Sequence, residues 1–308
     1  MSEQGPQGDG AAYDPLADSW RALPPAGLAP RQVRPVWTDR EMLIWGGRNQ
    51  MDSFDDGAAY NPSTGGWRRM ARSPLSARGG HAAVWTGQEM LVWGGSTGPS
   101  TQFADGAAYR PGSDSWRRLA PSPLAARGGS AAAWTGSKLL VWGGGTGDTR
   151  FADGAVYDPA ADRWQLMKPS PLPGRTGAGH VWTGRELVIW GGGAAGGTHL
   201  GDGAVYDPAS DTWRPMARSP LAARGGHVVV WTGEEMVVWA GGDTRPYGDA
   251  AAYRPQTDTW DPLPQGPLSP RASASSAWTG QEVLVWGGNA PSAGKSRAPL
   301  GDGARLRP

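Results

Sequence analysis

Cysteine is absent from this 308-residue chain, which excludes disulfides, thiolate zinc sites and cysteine nucleophiles and leaves the redox compartment open. Long apolar runs are missing too, and none approaches the roughly 18 residues that cross a bilayer. The excess of charge of either sign is only +1, so no global attraction to nucleic acid or to a membrane surface is expected. No stretch keeps a helical period over a useful length. No Ser/His/Asp grouping, phosphate loop or metal-binding motif occurs, and no cofactor is expected. The opening Met1-Ser2-Glu3-Gln4-Gly5-Pro6 has no basic, apolar leader. The chain as it stands is therefore expected in the cytoplasm, or in the periplasm or outside the cell if a leader has been trimmed. Phenylalanine occurs only three times, yet tryptophan occurs 18 times beside 49 glycines and 28 prolines. Such a chain is too aromatic for disorder and too irregular in glycine for collagen, which leaves a folded, turn-rich protein.

The tryptophans fall into three columns of six. One column follows a tyrosine by seven residues: Tyr13/Trp20, Tyr60/Trp67, Tyr109/Trp116, Tyr157/Trp164, Tyr206/Trp213 and Tyr253/Trp260. A second precedes a Gly pair or its variant, at Trp45, Trp93, Trp142, Trp190, Trp239 and Trp286, and the third lies eight residues earlier, from Trp37 to Trp278. Each unit of about 48 residues reads as four short strands separated by turn residues. In the second full unit these are His81–Trp85, Glu89–Trp93, Gly106–Tyr109 and a fourth strand at Trp116. Small residues build the first strand and Tyr and Trp the last two, which suits blades that taper toward an axis.

A Gly pair closing an apolar strand, then Tyr and then Trp, six times over, resembles the kelch repeat from Gly8 to Gly288. The resemblance implies an all-β fold, a six-bladed β-propeller of four-stranded blades, as a single domain over residues 1–308 with a loose tail at 1–8. The chain opens on third- and fourth-strand sequence, so the N-terminal strands are expected to complete the C-terminal blade and remove a free sheet edge. Residues 302–308 then form a surplus partial repeat, which lies outside, competes with Gly10–Tyr13, or belongs to a longer array.

Function is sought where the chain departs from the repeat. Removing the columns leaves four aromatics, Phe54, Phe103, Phe151 and Tyr247, all in the loops before the third strand, where Arg48, Arg150 and Arg245 also lie. Variable loops on a rigid scaffold are where binding resides. An arginine precedes each first strand, at Arg31, Arg78, Arg127, Arg175, Arg224 and Arg271. By kelch geometry these ring the channel mouth as an anion-attracting surface; alternatively they pair with the equally regular Asp56, Asp105, Asp153, Asp202 and Asp249. Three residues later stand Arg34, His81, Ser130, Ala178, His227 and Ala274, with His180 one pleat beyond Ala178. The acidic column Glu41, Glu89, Glu186, Glu235 and Glu282, with Lys138 in the remaining place, is read as solvated.

The reading preferred is a monomeric, non-enzymatic recognition scaffold that binds an anionic small molecule or an acidic protein segment. The arginines named above supply bidentate contacts, and the four leftover aromatics supply apolar area. An alternative is an isomerase-, mutarotase- or lyase-like enzyme on a small acidic or sugar-like substrate, with His81, His180 and His227 as general acids and bases. Copper radical oxidase activity, known among kelch propellers, needs a cysteine that this chain lacks. A repeat scaffold without an evolved ligand is the third possibility.

Overall fold

A computed structural model of the chain describes residues 8–98, 100–290 and 298–307. The expected tail at 1–7 lies outside them. The fold is all-β, a β-propeller of six blades; among the described residues the one helical element is a 3-10 turn at Ala195–Gly197. Blade I consists of Val36–Trp37, Met42–Trp45, Gly57–Asn61 and Gly66–Arg69, paired in that order, and blades II to V repeat the order with four strands each. Blade II runs from Ala82–Trp85 to Ser115–Arg118, blade III from Ala131–Trp134 to Arg163–Leu166, blade IV from Gly179–Trp182 to Thr212–Pro215, and blade V from Val228–Trp231 to Thr259–Leu263. Two compact units divide the chain. One holds residues 1–129, 136–139 and 157–165, the other residues 130–135, 140–156 and 166–308, so that the boundary cuts blade III.

Register explains the columns. The second-strand Trp stands opposite the first residue of the third strand, as in Trp93↔Gly106 and Trp190↔Gly203, and the Tyr stands opposite the fourth-strand Trp, as in Tyr109↔Trp116. Glycine at position 106 follows from crowding, because a Cβ there would lie 2.5 Å from the Val92 carbonyl oxygen and 3.1 Å from the Trp93 ring. Trp45, Trp93, Trp142, Trp190 and Trp239 are almost fully buried. Each of the first four meets the fourth-strand Trp of the next blade, with ring centroids 5.5–5.7 Å apart. Truncating such a residue to alanine costs on the order of 3–5 kcal/mol. The 18 tryptophans are thus mostly packing material, with Trp20, Trp37 and Trp286 the more exposed members of their columns.

A second device ties blade to blade. The Tyr109 hydroxyl donates to Asp114 Oδ1 (2.6 Å), the Ala71 N–H donates to the same oxygen (2.8 Å), and Trp116 Nε1 donates to the Ala71 carbonyl (2.9 Å). Both backbone groups of one residue in the preceding blade's exit are thereby satisfied by one Tyr-x4-Asp-x-Trp segment. The clamp recurs with Asp162 and Trp164 on Ala120, Asp211 and Trp213 on Lys168, and Asp258 and Trp260 on Ala217. Asp114, Asp162, Asp211 and Asp258 sit at φ of 45° to 53°, a left-handed turn that aspartate tolerates.

The last blade is completed differently from the sequence expectation. Val283–Trp286 pairs with Gly303–Leu306 in the standard register, Trp286 opposite Gly303, whereas Ala11–Asp14 pairs with Ser19–Ala22 in a two-stranded sheet. Gly303–Leu306, in the expected surplus segment, is therefore the third strand of blade VI. Chain locality favours this, since a short connection costs less closure entropy than one spanning nearly the whole chain. Asp302 also supplies the sixth member of the aspartate column, bonding Arg271 at 2.8 Å. The N-terminal hairpin stands against blade I as a fourth strand stands against the next blade, with the Arg21 guanidinium donating to the Tyr60 hydroxyl (3.1 Å) and Trp67 Nε1 to the Pro24 carbonyl (2.9 Å).

Blade V carries Ala240 at φ 60°, where the other blades have the first glycine of their pair. An L-residue there costs about 1–2 kcal/mol, against about 0.5–1 kcal/mol for the greater freedom of glycine in the unfolded chain. Ala240→Gly should therefore stabilise the protein by about 0.5–1 kcal/mol, read as a higher urea midpoint with an unchanged slope.

Candidate functional site

The arginines preceding the first strands do not present a cationic surface. Arg78, Arg127, Arg175, Arg224 and Arg271 are buried, and the Arg31 side chain is only 4% exposed. Each described pair joins the arginine to the aspartate of its own blade: Arg31–Asp56 2.6 Å, Arg78–Asp105 2.7 Å, Arg175–Asp202 2.9 Å, Arg224–Asp249 2.7 Å and Arg271–Asp302 2.8 Å. Arg78 also donates to the Ser76 and Gly94 carbonyls, and Arg127 to that of Ala125. The physical reason is desolvation, since a guanidinium leaves water only when a counter-charge and acceptors replace it. The partly exposed ends of these pairs are the carboxylates, with side-chain exposures of 43–57%. The ring arginines are thus buried within ion pairs whose carboxylates face outward.

The leftover aromatics belong to the same assembly. The Arg31 guanidinium lies 3.9 Å from the centre of the Phe54 ring, Arg78 lies 3.9 Å from Phe103, and Arg224 lies 4.4 Å from Tyr247. Phe151 takes the same place in blade III, its N–H on the Gly144 carbonyl and its carbonyl accepting from Arg175 N–H. Leu200 and Leu300 hold it in blades IV and VI. These residues are half-buried lids over the ion pairs, and sequence subtraction missed the column because Leu, Phe and Tyr share it. The spacing of two residues to the aspartate was the signal that identifies it.

The glutamate column is not solvated either. Glu41 accepts from Arg68 Nη2 (2.7 Å) and Glu89 from Arg117 Nη2 (2.8 Å), and Arg68 and Arg117 continue to the hydroxyls of Tyr109 and Tyr157 in the next blade. Burial first, then Asp114 and Asp162, push those two hydroxyls up to about 12 against the pull of the arginines.

The histidines are structural. His81 packs edge-on against Trp45 and His227 against Trp190, at centroid distances of 5.3 and 5.1 Å. Nδ1 of His81 and both ring nitrogens of His227 are shut off from solvent without a partner. Burial, reinforced by Arg78 and Arg34, lowers His81 to about 4; burial, Arg224 and the neighbouring His180 and His199 lower His227 to about 3. His180 bridges two backbones, with Nδ1 on the Ala178 carbonyl (3.1 Å) and Nε2 accepting from Ala132 N–H (3.3 Å). A general acid must touch its substrate, so the catalytic reading of His81 and His227 finds no support in this geometry. Among the described residues no group of three metal-ligating side chains occurs.

Four loop or inner-strand arginines remain. Arg150 folds back onto the Gly147 and Thr149 carbonyls. Arg245 is exposed beside a groove of about 340 Å³ lined also by Tyr247, Leu263, Gln265 and Pro270. Arg34 and Arg48 are both exposed, and no guanidinium partner occurs for either among the described residues. Gln32 and Arg48 face each other across a two-way backbone bridge, and Arg34 stands two residues beyond Gln32 in the chain. Arg48 lies along Gly79, and Arg34 is near enough to His81 to depress its protonation.

Compared with known proteins, the chain matches the family model described as the KLHDC2/KLHL20/DRC7 Kelch-repeats domain, over residues 32–222 and 123–288. These matches cover most of the chain, which belongs to the kelch-repeat family. Comparison with curated proteins gives no match.

Two histidines held neutral give a stability signature. Their folded values lie below the ordinary 6.5, so the stabilisation is complete above that pH and is lost as pH falls toward 4 and 3. Urea midpoints should decline from about pH 6.5 downward, and a His81→Phe/His227→Phe variant should flatten that decline.

Proposed function

We propose that this kelch propeller, an interaction scaffold by architecture, recognises an acidic protein segment through the Arg34–Arg48 face of blade I. The observation that carries this is the charge inventory of the predicted arginines. The ring members are held by aspartates, while Arg34 and Arg48 are exposed and have no guanidinium partner among the described residues, Arg48 lying along Gly79 and Arg34 close to His81. Arg34 belongs to the most aberrant approach to a first strand, where the other blades carry His, Ser or Ala three residues after the ring arginine, and Arg48 belongs to the loop that follows the second strand of the same blade. Two like charges held together without a counter-ion favour a ligand that brings one, and arginine bonds carboxylates in a bidentate manner.

The adjoining loop supports a protein partner over a small ion. Asn49 Oδ1 accepts from the N–H groups of Met51 (2.9 Å) and Asp52 (2.7 Å), and Asn49 N–H closes the turn on the Asp52 carbonyl. This pinned turn holds Met51 at 92% exposure. An adaptable apolar side chain displayed on an ordered turn beside two arginines is suited to an apolar contact on an acidic partner.

A fluorescein-labelled Glu-rich peptide containing leucine is the probe. Arg34→Gln/Arg48→Gln should weaken its binding about tenfold or more at low salt, leaving the urea midpoint unchanged, and Met51→Ser should weaken it by a smaller factor. Undiminished binding by the folded double variant would defeat the reading. Arg78→Ala, by contrast, should cost about 3 kcal/mol or more of stability, because it empties a buried ion pair.

A further inference from the structure

The aspartate column is not treated alike along the chain. In blades I and II each carboxylate is held by two arginines. Asp56 accepts from Arg31 and from Arg69 Nη1 (2.9 Å), and Asp105 accepts from Arg78 and from Arg118 Nη1 (3.5 Å). The second arginine of each pair comes from the fourth strand and lies in a fork. Its other amino group reaches a backbone carbonyl four residues before the buried arginine, that of Gly27 for Arg69 and that of Pro74 for Arg118 (2.7 Å). One planar guanidinium therefore joins a carboxylate oxygen to a carbonyl oxygen, in two independent copies.

Blades IV and V lack that second guanidinium, and in blade V Arg224 bonds both Asp249 oxygens (2.7 and 3.0 Å) from one side. The register places Pro215 opposite Ala204 and Pro262 opposite Ala251, the positions that Arg118 and Arg69 hold opposite Ala107 and Ala58. Proline has neither reach nor charge. Asp202 and Asp249 are joined by Arg175 and Arg224, and their side chains stay 50% and 53% exposed. The carbonyls that correspond to Gly27 and Pro74, four residues before each buried arginine, belong to the exposed Pro171 and Pro220.

We infer that the forks of blades IV and V, Asp202 with the Pro171 carbonyl and Asp249 with the Pro220 carbonyl, accept arginine side chains of a partner segment, as Arg69 and Arg118 fill the equivalent forks from within the chain. Charge agrees with this assignment. A fork in blade I or II carries two cations to one anion, whereas one in blade IV or V is neutral and takes a further cation to reach the same state. Guanidinium is favoured over ammonium because two acceptors of different type must be met in one plane. A single exposed site of this kind is weak, so a segment with two arginines gains by engaging both forks. The inference uses blades IV and V alone and stands apart from the acidic-segment reading of blade I.

The test compares a fluorescein-labelled peptide carrying two arginines in a Gly/Ser background with its lysine twin and with free L-arginine. The arginine peptide should bind at least fivefold more tightly than the lysine peptide. Pro215→Arg/Pro262→Arg, which supplies the guanidiniums from within the chain, should lose that binding while its urea midpoint holds or rises. Pro215→Gln/Pro262→Gln should still bind. Free L-arginine competing as well as the peptide, per arginine, would overturn the partner-segment assignment. Equal binding of the arginine and lysine peptides to the wild-type chain, or full binding by the folded arginine variant, would overturn the forks themselves. The arginine-over-lysine preference of the wild-type chain decides the matter even if the double variant fails to fold.

Discussion

A guanidinium removed from water must be given back its charge and its acceptors, and the loop end of every blade is organised by that requirement. Arg78 illustrates the solution: Asp105 supplies the counter-charge, the Ser76 carbonyl accepts from Nε and the Gly94 carbonyl from Nη1, and the Phe103 ring covers the plane. The arginine bonds the second-strand exit, the third-strand entry and its own approach segment at once. It thereby fixes the turn geometry for which the paired glycines are needed, Gly94 and Gly95 at φ 70° and 96°. Removing the cation would leave three segments without their common anchor.

That arrangement also sets where recognition is available. Because the recurring charged groups of the repeat bond one another, unmatched charge lies at positions where a blade departs from the pattern. Blade I adds Arg34 and Arg48, whose guanidiniums no carboxylate bonds among the described residues. Blades IV and V omit the fourth-strand arginine and leave a carboxylate held from one side only. The two departures have opposite electrostatic sense, while the whole chain stays near neutrality at +1.

Much of the fold was legible from residues alone. The Trp and Tyr columns gave strand order, blade number and the turn positions, because a repeat that buries one Trp against the next blade must keep its spacing. The closing strand was misjudged. Tyr13 in the N-terminal segment makes a better match to the Tyr column than Leu306, yet side-chain similarity counted for less than the short connection and the Asp302–Arg271 pair. Among the site residues, the aspartate partners of the arginines were visible as one of two readings, and the structure selects it. Phe54, Phe103 and Tyr247 were misread as free binding area because their true column contains Leu200 and Leu300.

The sequence by itself determined the architecture: periodic Trp, Tyr, Gly and Asp in six copies admit one way of burying so much aromatic surface. Only the tertiary structure decided the sign and availability of charge. A count of arginines cannot distinguish a guanidinium facing water from one shielded beneath an aromatic ring and an aspartate. That difference depends on contacts between loops roughly 15 to 30 residues apart, such as Arg78 with Gly94 and Asp105, which no local pattern encodes.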